Sequence, residues 1–147
     1  MASASVLHDD NLDNPQPLNV LGTALERHSV SPITGYFRDG YCRSDRSDAG
    51  EHTIAGIVSD SFLEFSASRG NDLSTPRPPM FPGLTSGCHW CLCVSRWKEA
   101  LLAYRAGDIS RDAVPKVVLN ATDTSALRTV SLRDLREFSF EDSRGER

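Results

Sequence analysis

The sequence predicts a single compact α+β domain: a small mixed β-sheet with two or three helices packed on one face. Three observations predict it. The 147 residues suffice for one domain with a core of its own. Hydrophobic residues make up 39% and charged residues 24%, an ordinary balance for a globular chain. Short apolar, β-branched runs alternate with stretches of helical period.

Residues 1–17 are polar, with Asp9, Asp10, Asp13, Pro15 and Pro17, and predict a disordered N-terminal tail. Residues 141–147 are charged and predict a frayed C-terminal tail. The domain is therefore 18–140. From Asn19 to Gly50 no clean period runs, but Ser31-Pro32-Ile33-Thr34-Gly35 has turn chemistry. Asp39-Gly40 favours a tight turn with positive φ.

His52 to Val58 reads as a strand buried on both faces, because it carries β-branched residues and no polar alternation. Ser59 to Ser61 offer helix caps, and Ser61 with Glu64 has capping-box spacing. Phe62, Leu63, Phe65 and Ser66 form the inner face, and Gly70 is suited to end the helix. Asn71 to Gly87 is a long loop, and long loops on rigid scaffolds often carry sites. Trp90 to Val94 is a second apolar strand. Ser95 opens a helix whose Trp97, Ala100, Leu101 and Tyr104 recur at helical spacing. Val114 to Leu119 predicts a third strand. Ser131 and Asp134 start a last helix, with Leu132, Leu135 and Phe138 on one side.

The net charge is −4 and no basic cluster occurs, which argues against nucleic acid, whose phosphates need a basic face. No apolar run approaches the ~20 residues that cross a bilayer. The N-terminus lacks a basic patch and an apolar core, so no secretory signal is expected. These features predict a soluble, cytoplasmic protein acting on a small molecule or another protein. In a reducing compartment its four cysteines are expected as free thiols or ligands rather than disulfides.

The segments Thr34-Gly35-Tyr36-Phe37-Arg38-Asp39-Gly40, Arg69-Gly70-Asn71-Asp72-Leu73-Ser74-Thr75-Pro76 and Trp90-Cys91-Leu92-Cys93-Val94-Ser95-Arg96-Trp97 resemble the domain of unknown function 2237 family. The likeness runs from about Asn19 to about Leu135. It implies no established activity. The family pattern often carries cysteine where His28, Tyr41 and Ala55 stand, and aspartate where Cys88 stands. Cys42, Cys91 and Cys93 match the pattern.

Three constellations carry chemistry. Cys42, Cys91, Cys93 and His28 form a candidate metal set of the soft and borderline donors that suit zinc. On a strand, Cys91 and Cys93 share one face. Either is equally a small core residue or a reactive thiol, helped by the positive end of the following helix. Asn71, Asp72 and Arg77, with Arg38 and Arg96, are candidate ligand-binding residues, Arg77 for an anion. Asn71 and Asp72 read equally well as turn formers after the helix. Asp39 orienting His52, with Cys91 or Cys93 as nucleophile, is the candidate catalytic set. The common nucleotide, hydrolase and zinc-protease motifs are absent. The expected function is a ligand-binding or interaction module, sited where the Asn71–Gly87 loop meets the Cys91–Cys93 strand. The alternative is an enzyme at the same place, using a cysteine thiolate or a metal bound by cysteine and histidine.

Overall fold

The computed structural model describes residues 16–79 and 81–140. Apart from Gln16 and Pro17, the two expected tails lie outside the described residues. Among the described residues, three strands form one sheet and three α-helices accompany it. The strands are β1 (His52–Ile57), β2 (His89–Cys93) and β3 (Lys116–Val117). The helices are α1 (Asp60–Ser68), α2 (Val94–Arg105) and α3 (Leu132–Glu137). The strand order is β2-β1-β3, and both pairings are antiparallel. The mixed character expected of the sheet is confined to two isolated parallel bridges, Cys42 with Thr122 and Val117 with Ser139.

β1 is central, and its run Thr53-Ile54-Ala55-Gly56 is buried on both faces, as its apolar sequence requires. On one face Ile54, Trp90 and Leu92 join Trp97, Leu101 and Phe138 in the main core. The Trp97 indole N–H donates to the Pro115 carbonyl at 2.9 Å, so its one polar atom is satisfied at full burial. On the other face Ala55, Cys91, Cys42 and Ala121 form a smaller cluster.

Local chemistry explains the boundaries. α1 is capped by Ser59, whose side chain accepts the Phe62 amide N–H, rather than by Ser61. Gly70 follows at φ +88, a conformation only glycine adopts without cost. α2 begins two residues early, with Cys93 and not Ser95 at its cap position. α3 starts at the expected Ser131 cap, which accepts the Asp134 amide N–H. The third strand is much shorter than predicted. Short 3₁₀ turns at Arg111–Ala113 and Leu119–Ala121 take residues on either side of it. No helix among the described residues is long and apolar enough to cross a membrane.

Candidate functional site

The site grows from an irregularity in the β1–β2 pairing. Ala55 stands opposite Cys91 and Ile54 opposite Leu92, but His52 stands opposite Cys93. Two residues of β1 are thus spanned by one step of β2, leaving Thr53 extra. In a regular strand His52 would share the face of Ile54 and enter the main core. The extra residue turns it to the face of Ala55 and Cys91, beside Cys93. Bulges that re-aim a side chain recur next to functional sites.

His52 is then held from behind. Asp48, almost wholly buried, accepts the His52 backbone N–H at 2.9 Å and its ring Nδ1–H at 2.8 Å. This leaves the other ring nitrogen for a second partner. The turn that delivers Asp48 comes so close that a Cβ on Gly50 would lie 2.7 Å from His52 Cε1 and 3.3 Å from Cys93 Sγ. Glycine at 50 is a condition of packing the turn on this pair. The imidazole is raised to about 9, first by its hydrogen bond with Cys93, against the lowering effect of burial. The charges of Cys93 and Asp48 and the hydrogen bond with Asp48 raise it further. His52 is therefore cationic at neutral pH. Cys93 is a free, half-buried thiol at the start of α2, where no side chain caps the helix.

Beside this pair opens a cavity of about 510 Å³ with Arg38, His52, Asn71, Arg77, Phe81 and Trp90 among its walls. β2 is a sheet edge, and the 30s loop covers it: Thr34 Oγ1 accepts the Cys91 N–H at 2.8 Å. The same loop delivers Arg38, which is left-handed at φ 55, an uncommon backbone conformation for a residue with a side chain. Its guanidinium lies 5.1 Å from the Trp90 ring centre, and Nη1 donates to the Gly35 carbonyl at 2.7 Å. Its Nε is buried and has no hydrogen-bond partner. Arg77 lies over the Phe81 ring at 4.8 Å.

Of the predicted ligand-binding residues, the structure brings Arg38, Asn71 and Arg77 to this cavity and takes two elsewhere. Asn71 donates its amide to Ser66 Oγ at 3.0 Å and accepts that hydroxyl on its own carbonyl at 2.7 Å, closing the end of α1. Asp72 is exposed and accepts the Ser74 amide and the Thr75 hydroxyl at 2.9 and 2.6 Å. The Thr75 bond first of all holds its carboxyl below the usual range, so Asp72 is a turn former. Arg96 bonds the Arg69 carbonyl and Glu99 at 3.0 and 3.3 Å. Asp39 binds Arg43 at 3.0 Å and does not orient His52. Asp48 does. The available signal was its spacing, four residues before His52 across a Gly-containing turn, and the sequence reading missed it.

The cysteines divide in a way the sequence did not show. Cys42 and Cys91, 49 residues apart, form a disulfide, at 0% and 1% exposure. The expectation of free thiols holds only for Cys88 and Cys93. The four-residue metal set is not assembled, for a chemical reason: two of its sulfurs are bonded to each other. His28 is engaged as well. Its Nε2 meets the Gly56 carbonyl at 2.9 Å, its ring lies 4.9 Å from that of His89, and burial first of all lowers it to about 4. Among the described residues no three His, Cys, Asp or Glu side chains converge where an ion could sit.

Residues 18–139 match the family described as an uncharacterised protein conserved in bacteria, DUF2237. The chain belongs to this family. A comparison with curated proteins gave no match. The DUF2237 match covers every element of the site, from the 30s loop to the start of α2, and it assigns none of them a role. The chemistry must be read from the geometry.

Proposed function

We propose that this DUF2237 chain is a binding module for a small organic anion, held by Arg38 and Arg77 against the Trp90 ring. The observation that carries this reading is the buried Arg38 Nε, a donor with no acceptor. An unpaired buried donor is costly, and the edge formed by Nε and Nη2 is the one that grips a planar carboxylate with two parallel bonds. Cationic His52 and Arg77 line the same cavity. The indole face suits a flat apolar body. The ligand is a small molecule rather than nucleic acid or membrane, because the positive groups are gathered in one pocket of an otherwise acidic chain.

Calorimetric titration and Trp90 fluorescence test this with benzoate, succinate and inorganic phosphate as probes. Saturable binding of a carboxylate is expected, weakened about tenfold or more by Arg38→Ala, the size of one charge-assisted hydrogen bond. Absence of saturation with all three, or an Arg38→Ala variant that binds equally well, overturns the reading. A cytoplasmic setting is part of the proposal. The disulfide is sealed from solvent, and a sealed bond is sheltered from soluble thiols. Alkylation of unreduced cell extract should label Cys88 and Cys93 alone.

A further inference from the structure

We propose that Cys93 is a nucleophile that takes an acyl group from a carboxylate-bearing ester or thioester, with His52 carrying the proton and Asp48 as the positioning residue. The carboxylate anchor rests on the Arg38 pocket proposed above. The nucleophile does not.

The argument is geometric. A regular strand would have buried His52 in the main core, and one extra residue places it opposite Cys93 instead. Asp48 fixes the ring through Nδ1 at 2.8 Å, so one ring nitrogen is oriented and the other is free to act. A base oriented by a third group beside a nucleophile is the arrangement that activates a thiol. Asp48 itself is shielded from solvent while His52 lines the ligand cavity, so the order from protein interior to pocket is carboxylate, imidazole, cavity, with Cys93 flanking the imidazole from the opposite strand. Cys93 also stands at the start of a 12-residue helix that no side chain caps. The cation on His52 at neutral pH supports the same picture.

The reaction balances without a further reagent. The Cys93 thiolate attacks the acyl carbon and the bond to the leaving oxygen or sulfur breaks. The leaving group takes the proton from the His52 imidazolium. A thioester now joins the acyl group to Cys93. Neutral His52 then accepts a proton from water as the water oxygen adds to the thioester carbon. The carboxylic acid departs, and the thiolate and imidazolium are restored.

Two activated esters test it on the full-length protein: neutral 4-nitrophenyl acetate and anionic mono-4-nitrophenyl succinate. One acyl group per chain is expected on Cys93, located by peptide mass spectrometry, with free Cys88 unmodified as the control in the same molecule. Cys93→Ser should abolish the nitrophenolate burst. His52→Gln should slow acylation by about a hundredfold, the usual contribution of a positioned acid–base group. Asp48→Asn should move the pH profile of the burst, which a merely structural role would not. Equal labelling of Cys88 and Cys93, or a burst that survives Cys93→Ser, overturns the proposal. Arg38→Ala separates the two readings. If it removes a preference for the succinyl ester through KM alone, both stand. If Cys93 is acylated with no preference for the anionic ester, the anion pocket fails and the nucleophile stands. If carboxylates bind but Cys93 is never acylated, the nucleophile fails and the binding module stands.

Discussion

The β1–β2 ribbon carries a histidine at each end, and the two are opposites. At one end His52 faces Cys93 and Asp48 and is raised to about 9. At the other, His28 lies on the Gly56 carbonyl beside His89 and is lowered to about 4. The residue type is the same and the sheet is the same. The partners decide the charge. His52 meets a thiol and a carboxylate, which favour the cation. His28 meets burial and a second imidazole, which favour the neutral ring and outweigh its backbone hydrogen bonds with Gly56 and Trp90, which favour the cation. A neutral histidine hydrogen-bonded in an interior is part of the fold. A cationic one beside a free thiol, one-third exposed on a pocket wall, is equipped for chemistry. The pair shows where the molecule invests in structure and where in reactivity.

The disulfide belongs to the reactive end, and removing it should give the largest effect. Cys42 and Cys91 tie the loop that carries Arg38 to the strand that carries Cys93. Replacing both with Ala should cost about 3 kcal/mol, the usual worth of such a link, measured by urea unfolding at pH 7. The difference between that variant and the parent should be smaller at pH 4.5 than at pH 7, because the cross-link supports the packing around His28, whose backbone N–H donates to the Gly40 carbonyl two residues before Cys42. A difference that does not change with pH would show that the two ends are not coupled.

The histidines themselves should shape opposite limbs of the stability profile. The unfolded His28 ring binds its proton near 6.5 and the folded one only near 4. Between these values the unfolded chain holds more protons, so the stability is complete above pH 6.5 and falls as pH drops toward 4. Unfolding at pH 4.5 against pH 7 should show a loss of roughly 2 to 3 kcal/mol from this residue, absent in His28→Gln. For His52 the folded value lies above the unfolded one. Its contribution is present below pH 6.5 and is lost as pH rises through 9. Because that ring is one-third exposed, solvent screens it, and the alkaline limb should be shallower than the acid one. His52→Gln should flatten the alkaline limb and leave the acid limb intact. An acid limb that survives His28→Gln would place the neutral histidine elsewhere.

Much of the fold was legible because local pattern and burial agree there. His52 to Ile57 is rich in β-branched residues, has no polar alternation and lies in the middle of the sheet. Trp97, Ala100 and Leu101 recur at helical spacing and are all buried in α2. Ser131 caps α3 because its side chain reaches an amide three residues on. The third strand was over-read, since Val114 to Leu119 is apolar for reasons of burial and not of pairing: Val114 and Leu119 enter the core outside any strand. The site was legible only in part. Arg38, Arg77, His52 and Cys93 are residues whose chemistry can be read one at a time. The bulge at Thr53 and the disulfide between Cys42 and Cys91 depend on which distant segments meet. No spacing records that. Asp72 shows the converse, since a motif residue that looked like part of a site closes a turn instead.

The smallest effect should come from the backbone at Arg38, and it separates the loop's strain from its chemistry. The left-handed conformation at φ 55 penalises any residue with a Cβ by about 1 kcal/mol and glycine by almost nothing. Arg38→Ala keeps that penalty and removes the guanidinium from the Trp90 ring. Arg38→Gly removes both. The glycine variant should therefore unfold about 1 kcal/mol later than the alanine variant, in chemical denaturation at pH 7. Glycine's extra freedom in the unfolded chain works against this difference, so the measured gap is a lower bound on the strain. The two variants should lose carboxylate binding equally, because neither can donate from Nε. Equal stabilities would mean that the loop relaxes out of the left-handed region once the arginine is gone, and that the guanidinium, through Gly35 and Trp90, is what holds the backbone there. In that case a bound carboxylate should stiffen the 30s loop, slowing hydrogen exchange at the Arg38 and Gly40 amides relative to those at the His28 end of the ribbon.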